Sequence, residues 1–299
     1  MEKNSEIESK EIKIGGGEKL GIMIEVSVFI GLFLILFWNY EIFLGQKLSA
    51  WIDQTFQQYG YGPITHALML VLPLVFLLLC KKDIRNYGFN FHNLGDQAKT
   101  GLNLFPFVFL PMVPTLWISY ETWYGATLIS LSYIPVFILI VRMLQKGNFR
   151  WISGIRRLIL VPLTMFLLML FLKYPHPTLK SAFFIFIYFF FFVGFGEEFM
   201  FRGYIQTRLN IAFGKPYTLF GTTWGPGMII SAVIFGLMHT LNAGFNPFQH
   251  NYHLSFWWGV FTMAGGFVFG YIREKTASII PVGIIHGLGV AFPNIFFNI

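Results

Sequence analysis

The stretch GFGEEFMFRGY, Gly194 to Tyr204, follows the apolar run SAFFIFIYFFFFV, Ser181 to Val193. Its reading decides the fold. Either an apolar helix stops at the glutamates, with Glu197, Glu198 and Arg202 snorkelling at the cytoplasmic headgroups, or the helix runs on and carries them to membrane depth. On insertion scales an ionisable group there costs ~2.5–3.5 kcal/mol. In a helix continuing to about Leu209, Glu198 and Arg202 stand at i,i+4 and pair along one face. Glu197 is turned ~100° away and has no such partner. Glu198 then reads as a structural or orienting ion. Glu197, buried beside a like charge, reads as the candidate general base.

The composition is that of a polytopic membrane protein, and the loop count and depth comparison below favour the second reading. Of 299 residues 55% are apolar and 12% charged, about half the ~25% charged share of soluble domains. Thirty-seven phenylalanines and eight tryptophans suit a lipid-facing surface. The fold class is an all-α, polytopic transmembrane helical bundle in the lipid bilayer, which in a prokaryote is the cytoplasmic membrane. A net charge of +7 could suit nucleic acid, but the basic residues lie between apolar runs and act as topology signals, so no nucleic-acid partner is expected. Cys80, the single cysteine, allows no intramolecular disulfide.

Nine apolar spans are predicted near 20–38, 63–80, 101–120, 125–144, 158–173, 180–205, 227–242, 255–272 and 278–297. The first has no small-residue cleavage site behind it and reads as a retained span. The third carries Pro106, Pro111 and Pro114 and is expected to be kinked or irregular. With the N-terminus in the cytoplasm, 18 Lys and Arg fall on inside segments and 3 outside, which supports both the span count and the orientation. Residues 1–19 form a polar cytoplasmic N-terminus, 20–175 accessory helices and 180–297 a catalytic core. Residues 46–59 read as an interfacial amphipathic helix or a short packed loop. Within 1–175 the spans hold almost no ionisable group apart from Glu25, whereas 180–299 holds Glu197, Glu198, Arg202, His239 and His286.

Two further motifs follow. FGLMH, Phe235 to His239, puts Phe235 and His239 on one helical face, with Ser231 a turn earlier. SIIPVGIIHG, Ser278 to Gly287, sets glycine beside His286, where a close approach is possible. Counted from the cytoplasmic span ends, Glu197 and His239 lie ~18 Å deep and His286 ~12 Å. Each histidine alone is as readily a packing residue. Together the three groups reach a similar depth, reachable from the cytoplasm, where they could activate a water for hydrolysis.

GEEFMFRGYIQTRL, FGLMH and SIIPVGIIHG, in this order, resemble the CPBP family of intramembrane proteases, also called the CAAX protease and bacteriocin-processing, or Abi, family, which includes the Ras-converting endopeptidases. The resemblance covers roughly residues 180–297. It implies that Glu197 activates the attacking water, that His239 helps hold it, and that His286 stabilises the oxyanion with a nearby amide. Glu198 and Arg202 match a supporting ion pair. The chain departs from the family where an Asn or Asp is common one turn after the last histidine: Gly287, Leu288, Gly289 and Val290 stand there. Asn294, or Asn242 near the seventh span, is the candidate replacement.

Glu197, His239 and His286 would also make a His₂Glu zinc set. There is no His-Glu-x-x-His, and a metal-free glutamate mechanism is the preferred reading, with no cofactor. The expected function is an endopeptidase cutting a membrane-anchored or amphipathic peptide near the cytoplasmic face. The alternatives are a weak or inactive immunity or scaffold protein of the same family and, from the ionisable groups alone, a proton-coupled transporter. The two halves differ in polar content, which argues against the transporter's repeats.

Overall fold

The computed structural model describes residues 15–39, 47, 48, 50, 51, 54, 63–89, 91, 93–174, 177–242, 247 and 250–297. Residues 1–14 of the polar N-terminus and most of the predicted interfacial segment 46–59 lie outside the described residues.

Among the described residues the chain folds into nine helical stretches, one on each apolar run. They are α1 (Gly16–Trp38), α2 (Pro63–Leu79), α3 (Leu94–Phe109), α4 (Trp123–Lys146), α5 (Trp151–Phe171), α6 (Leu179–Phe213), α7 (Pro226–Asn242), α8 (Phe256–Thr276) and α9 (Ile280–Phe297). Five of them, α1, α4, α5, α6 and α9, are long and apolar enough to cross a membrane; His66–Leu79 of α2 and Pro226–Leu241 of α7 are shorter apolar helices. The proline-bearing third run is irregular, as expected. Pro106 lies inside α3, and the chain then tightens into a 3₁₀ stretch, Leu110–Leu116, containing Pro114. Among the described residues a hairpin departs from the helical pattern, pairing β1 (Tyr217–Leu219) with β2 (Thr222–Trp224) antiparallel. Phe220 and Gly221 both take positive φ there, 48° and 73°, as a two-residue hairpin turn requires.

The predicted continuation of the sixth run is present. Helix α6 passes through the glutamates to Phe213 and stops where Gly214 takes a φ of 73°. It is not uniform: Tyr188–Phe195 and Phe199–Ile205 are wound as π-helix. Such widened turns recur at functional sites, and here they bracket Glu197 and Glu198.

Helix α6 packs against α9 and α2, while α7 packs most extensively on α8. Glycines set the α6–α9 spacing. A Cβ on Gly194 would collide with the backbone of Gly287, and one on Gly287 would come within 2.7 Å of the Phe190 carbonyl. This is the close approach expected at Gly287.

Tertiary contacts define two ends of the bundle. At one end Ile279 N donates to Gly88 O (3.1 Å) and Gln145 Nε2 to Phe220 O (3.2 Å). At the other, Ser255 N donates to Thr240 O (3.0 Å) and the Tyr174 and Phe297 rings meet at 5.5 Å. The first end carries the Lys- and Arg-rich connections and is called the basic end below.

Candidate active site

Glu198 and Arg202 pair as their spacing predicts, Nη1 to Oε1 at 3.1 Å, with both side chains fully buried. The guanidinium sits in an aromatic cage, 4.2 Å from the Phe235 ring centroid and 5.4 Å from that of Phe269, and Nη2 donates to Gly266 O at 3.2 Å. A buried charge is tolerated only when paired and hydrogen-bonded in this way. Glu198 also accepts from His286, whose Nδ1 lies 2.8 Å from Oε1. The second glutamate therefore holds two of the predicted site residues at once.

Glu197 has no comparable hold. Its Oε2 faces the Nε2 atoms of His286 at 3.8 Å and His239 at 4.0 Å, and has no hydrogen-bond partner among the described residues. His239 is oriented from behind. Its Nδ1 lies 2.8 Å from Phe235 O. A carbonyl can only accept, so Nδ1 carries a proton, and when the ring is neutral it turns an acceptor Nε2 toward the carboxylate. Trp258 stands edge-on to the ring, with centroids 5.4 Å apart. Ser231, predicted on the same face, braces α7 against α6 through Phe201 O at 2.7 Å.

A third imidazole was missed. His66 of α2 places Nε2 3.8 Å from Glu197 Oε1, and its Nδ1 lies 2.7 Å from Tyr188 Oη. This corrects the expectation that, apart from Glu25, the spans before residue 175 hold almost no ionisable group. The signal lay in PITHALM, residues 63–69, where a histidine opens an apolar run. Gly196 faces α2 at this point: a Cβ there would stand 3.4 Å from His66 O, in ordinary contact. Glu25 is also engaged. It accepts from Tyr204 Oη at 2.6 Å and from Arg208 Nε at 2.8 Å.

The amide candidates do not join this group. Asn294 is two turns past His286, ~12 Å along the axis, and its Nδ2 donates to Val290 O of its own helix at 2.8 Å. Asn242 closes α7, and its side chain lies outside the described residues. A tetrahedral zinc bound at ~2.0–2.2 Å would hold its ligand atoms ~3.4 Å apart. Glu197 Oε2 stands farther than that from both ring nitrogens, and among the described residues no group of three His, Cys, Asp or Glu is placed to hold a metal. As placed, these residues do not fit the metal.

A small cleft reaches Glu197 and His239, with Phe33, Phe37 and Trp38 of α1, Met69 of α2 and Leu241 of α7 among its walls.

Residues 179–292, less than half of the chain, match the family described as Type II CAAX prenyl endopeptidase Rce1-like. The match falls on the segment whose motifs resemble the CPBP family and agrees with that resemblance. Together with the apolar helices it supports an integral membrane protein carrying a CAAX-type intramembrane protease core. No curated protein and no solved structure matches the chain significantly.

Proposed function

We propose that the chain, whose residues 179–292 match the Rce1-like endopeptidases, is an intramembrane endopeptidase that hydrolyses a peptide bond of a membrane-associated protein or peptide with a glutamate-activated water. All nine helical stretches serve as spans on this reading. The observation that carries it is the spacing around Glu197: a carboxylate oxygen with no hydrogen bond, 3.8–4.0 Å from two imidazole nitrogens. A water ~2.8 Å from both the carboxylate and His239 fits that spacing. Both are acceptors, so the water donates a hydrogen to each and presents a lone pair to the scissile carbonyl.

In the proposed reaction the water oxygen bonds to the carbonyl carbon as Glu197 takes one proton. The protonated form of His286, held through Nδ1 by Glu198, offers Nε2–H to the oxyanion. Collapse breaks the C–N bond, and Glu197 passes its proton to the leaving nitrogen. Arg202 keeps Glu198 in place for this work. His66, held by Tyr188, orients the far oxygen of Glu197. No step requires a metal.

The test compares membrane proteomes of cells expressing wild type, Glu197→Ala and His239→Ala. Both variants should accumulate normally and leave the same precursor uncut; full processing by either would defeat the assignment. One observation favours a second reading, a weakly active or inactive immunity or scaffold protein: Asn294 spends its amide on Val290 instead of reaching the site. Retained biological function in Glu197→Gln, with no precursor accumulating, would support that reading.

A further inference from the structure

Glu198 Oε1 is met by two groups that carry positive charge, Arg202 Nη1 at 3.1 Å and His286 Nδ1 at 2.8 Å. Both have a part in the reaction proposed above. The aromatic ring beside them has none. Phe269 of α8 is buried and lies outside the three motifs. Its ring centroid stands 5.4 Å from the Arg202 guanidinium carbon and 5.2 Å from the centroid of the His286 imidazole. The two rings are inclined by 33°, nearer to stacked than to edge-on. Phe235 of α7 meets the same two groups differently. It lies 4.2 Å from the guanidinium, but stands at 81° to the imidazole with centroids 6.2 Å apart.

Charge explains why a ring belongs there. Glu197 and Glu198 are both buried, and ionised they put two negative charges side by side. Arg202 balances one. A protonated His286 balances the other and leaves the group neutral, whereas a neutral imidazole leaves a net buried charge, which is costly. The face of an aromatic ring attracts a cation within about 6 Å of its centroid, and more strongly where water is excluded. Phe269 meets both cations within that limit. The charged and titratable groups facing His286 are Glu197, Glu198 and Arg202 of α6 and, across Glu197, His239 of α7 and His66 of α2. Helix α8 presents the Phe269 ring.

We propose that Phe269 is a positioning residue of this site: its ring keeps His286 charged and turned so that Nδ1 stays on Glu198 and Nε2–H faces the developing oxyanion. It acts through His286 and touches no reacting atom. The use made of the charge rests on the protease reading above; the ring's hold on the charge does not. The charge of Arg202 is permanent, so weakening the ring beside Arg202 is felt in stability. Weakening it beside His286 is felt in the charge of the imidazole and in the chemistry.

The test replaces Phe269 in the full chain with mono-, di- and trifluorophenylalanine, which keep the ring's shape and progressively drain its face of electron density. Phe269→Leu removes the ring. Turnover of a quenched-fluorescent membrane peptide should fall stepwise with fluorine number. For Phe269→Leu kcat should fall about 5–30-fold, the worth of one desolvated cation–π contact, with KM unchanged. Should the Leu variant fail to fold, the shape-preserving fluorinated series carries the test. A second readout needs no turnover: nitrogen NMR spectra of the histidine-labelled protein in lipid nanodiscs, with the His286 signals identified by their loss in His286→Gln. At neutral pH both ring nitrogens of His286 should carry protons in the wild type, and that signature should fade along the fluorinated series. A signature that holds along the series overturns the proposal; if the melting temperature alone falls, the ring only packs on Arg202. A neutral His286 in the wild type overturns it too. A wild type that cuts no peptide, but whose His286 signature fades with fluorination, removes the protease reading and upholds the ring's hold on the charge.

Discussion

Two polar clusters are buried in this bundle and they are finished differently. Near the basic end, Glu25 and Glu274 meet hydroxyl, amide, guanidinium and ammonium donors at hydrogen-bonding distance. Around Glu197 three imidazoles stop at 3.8–4.0 Å from the carboxylate, although each is held firmly from its other side or by its own helix. That network ties α1, α6 and α8 together, although Gln206 Oε1 and Asn210 Oδ1 within it have no hydrogen-bond partner among the described residues. A carboxylate ringed by groups at just beyond bonding distance is arranged for something that is not protein. Burial alone does not distinguish the two clusters; how closely each carboxylate is met by its donors does.

The sharpest way to break that comparison is to make the same substitution in both clusters. Glu197→Gln should lower the turnover of a quenched peptide by ~10²–10⁴, the range for losing a general base, with the melting temperature of purified protein nearly unchanged. Glu25→Gln should do the reverse. It weakens the α1–α6 tie to Arg208 and Tyr204, costing about 1–3 kcal/mol for an under-satisfied buried partner, while turnover per folded molecule stays near wild type. If Glu25→Gln slowed turnover as much as Glu197→Gln, the division into packing and chemistry would collapse.

Arg202→Ala tests the hinge between the clusters. It strands Glu198 as a buried charge, for which about 3–5 kcal/mol is expected, so the protein should fail to accumulate. Combining Arg202→Met with Glu198→Gln removes both charges and should restore accumulation, measured by membrane immunoblot, without restoring turnover, because His286 loses its anionic anchor. Recovery of activity in the double variant would show that the pair serves folding alone.

How much of this was legible beforehand follows the same division. The Glu198–Arg202 pair, the continuing helix and the convergence of Glu197, His239 and His286 were read from spacing, because i,i+4 pairs and apolar periodicity are local properties. His66 was not. A single histidine in an apolar run has no local signature, and its meaning depends on α2 lying against α6 at Gly196, a contact between distant parts of the chain. The π-helical turns were hidden for the same reason: nothing in the pattern FFFFVGFGEEFMF distinguishes a widened turn from an ordinary one.

The smallest expected effect probes the contribution from outside the matched segment. Tyr188 and Glu197 lie on α6, and His66 bridges them from α2. Tyr188→Phe keeps the ring and deletes one hydroxyl, so it costs about 0.5–1.5 kcal/mol, the worth of one hydrogen bond. If His66 merely fills space, that loss appears in the melting temperature and turnover is untouched. If His66 orients Glu197, loss of the Tyr188 hydroxyl loosens that orientation, and kcat should fall several-fold, up to ~10-fold, with KM unchanged. His66→Ala should lower kcat further, and His66→Gln, which can still present a donor to Glu197, should recover part of it. A set of variants in which stability falls and kcat does not would return His66 and Tyr188 to the packing cluster, leaving the chemistry to the three groups between residues 179 and 292 alone.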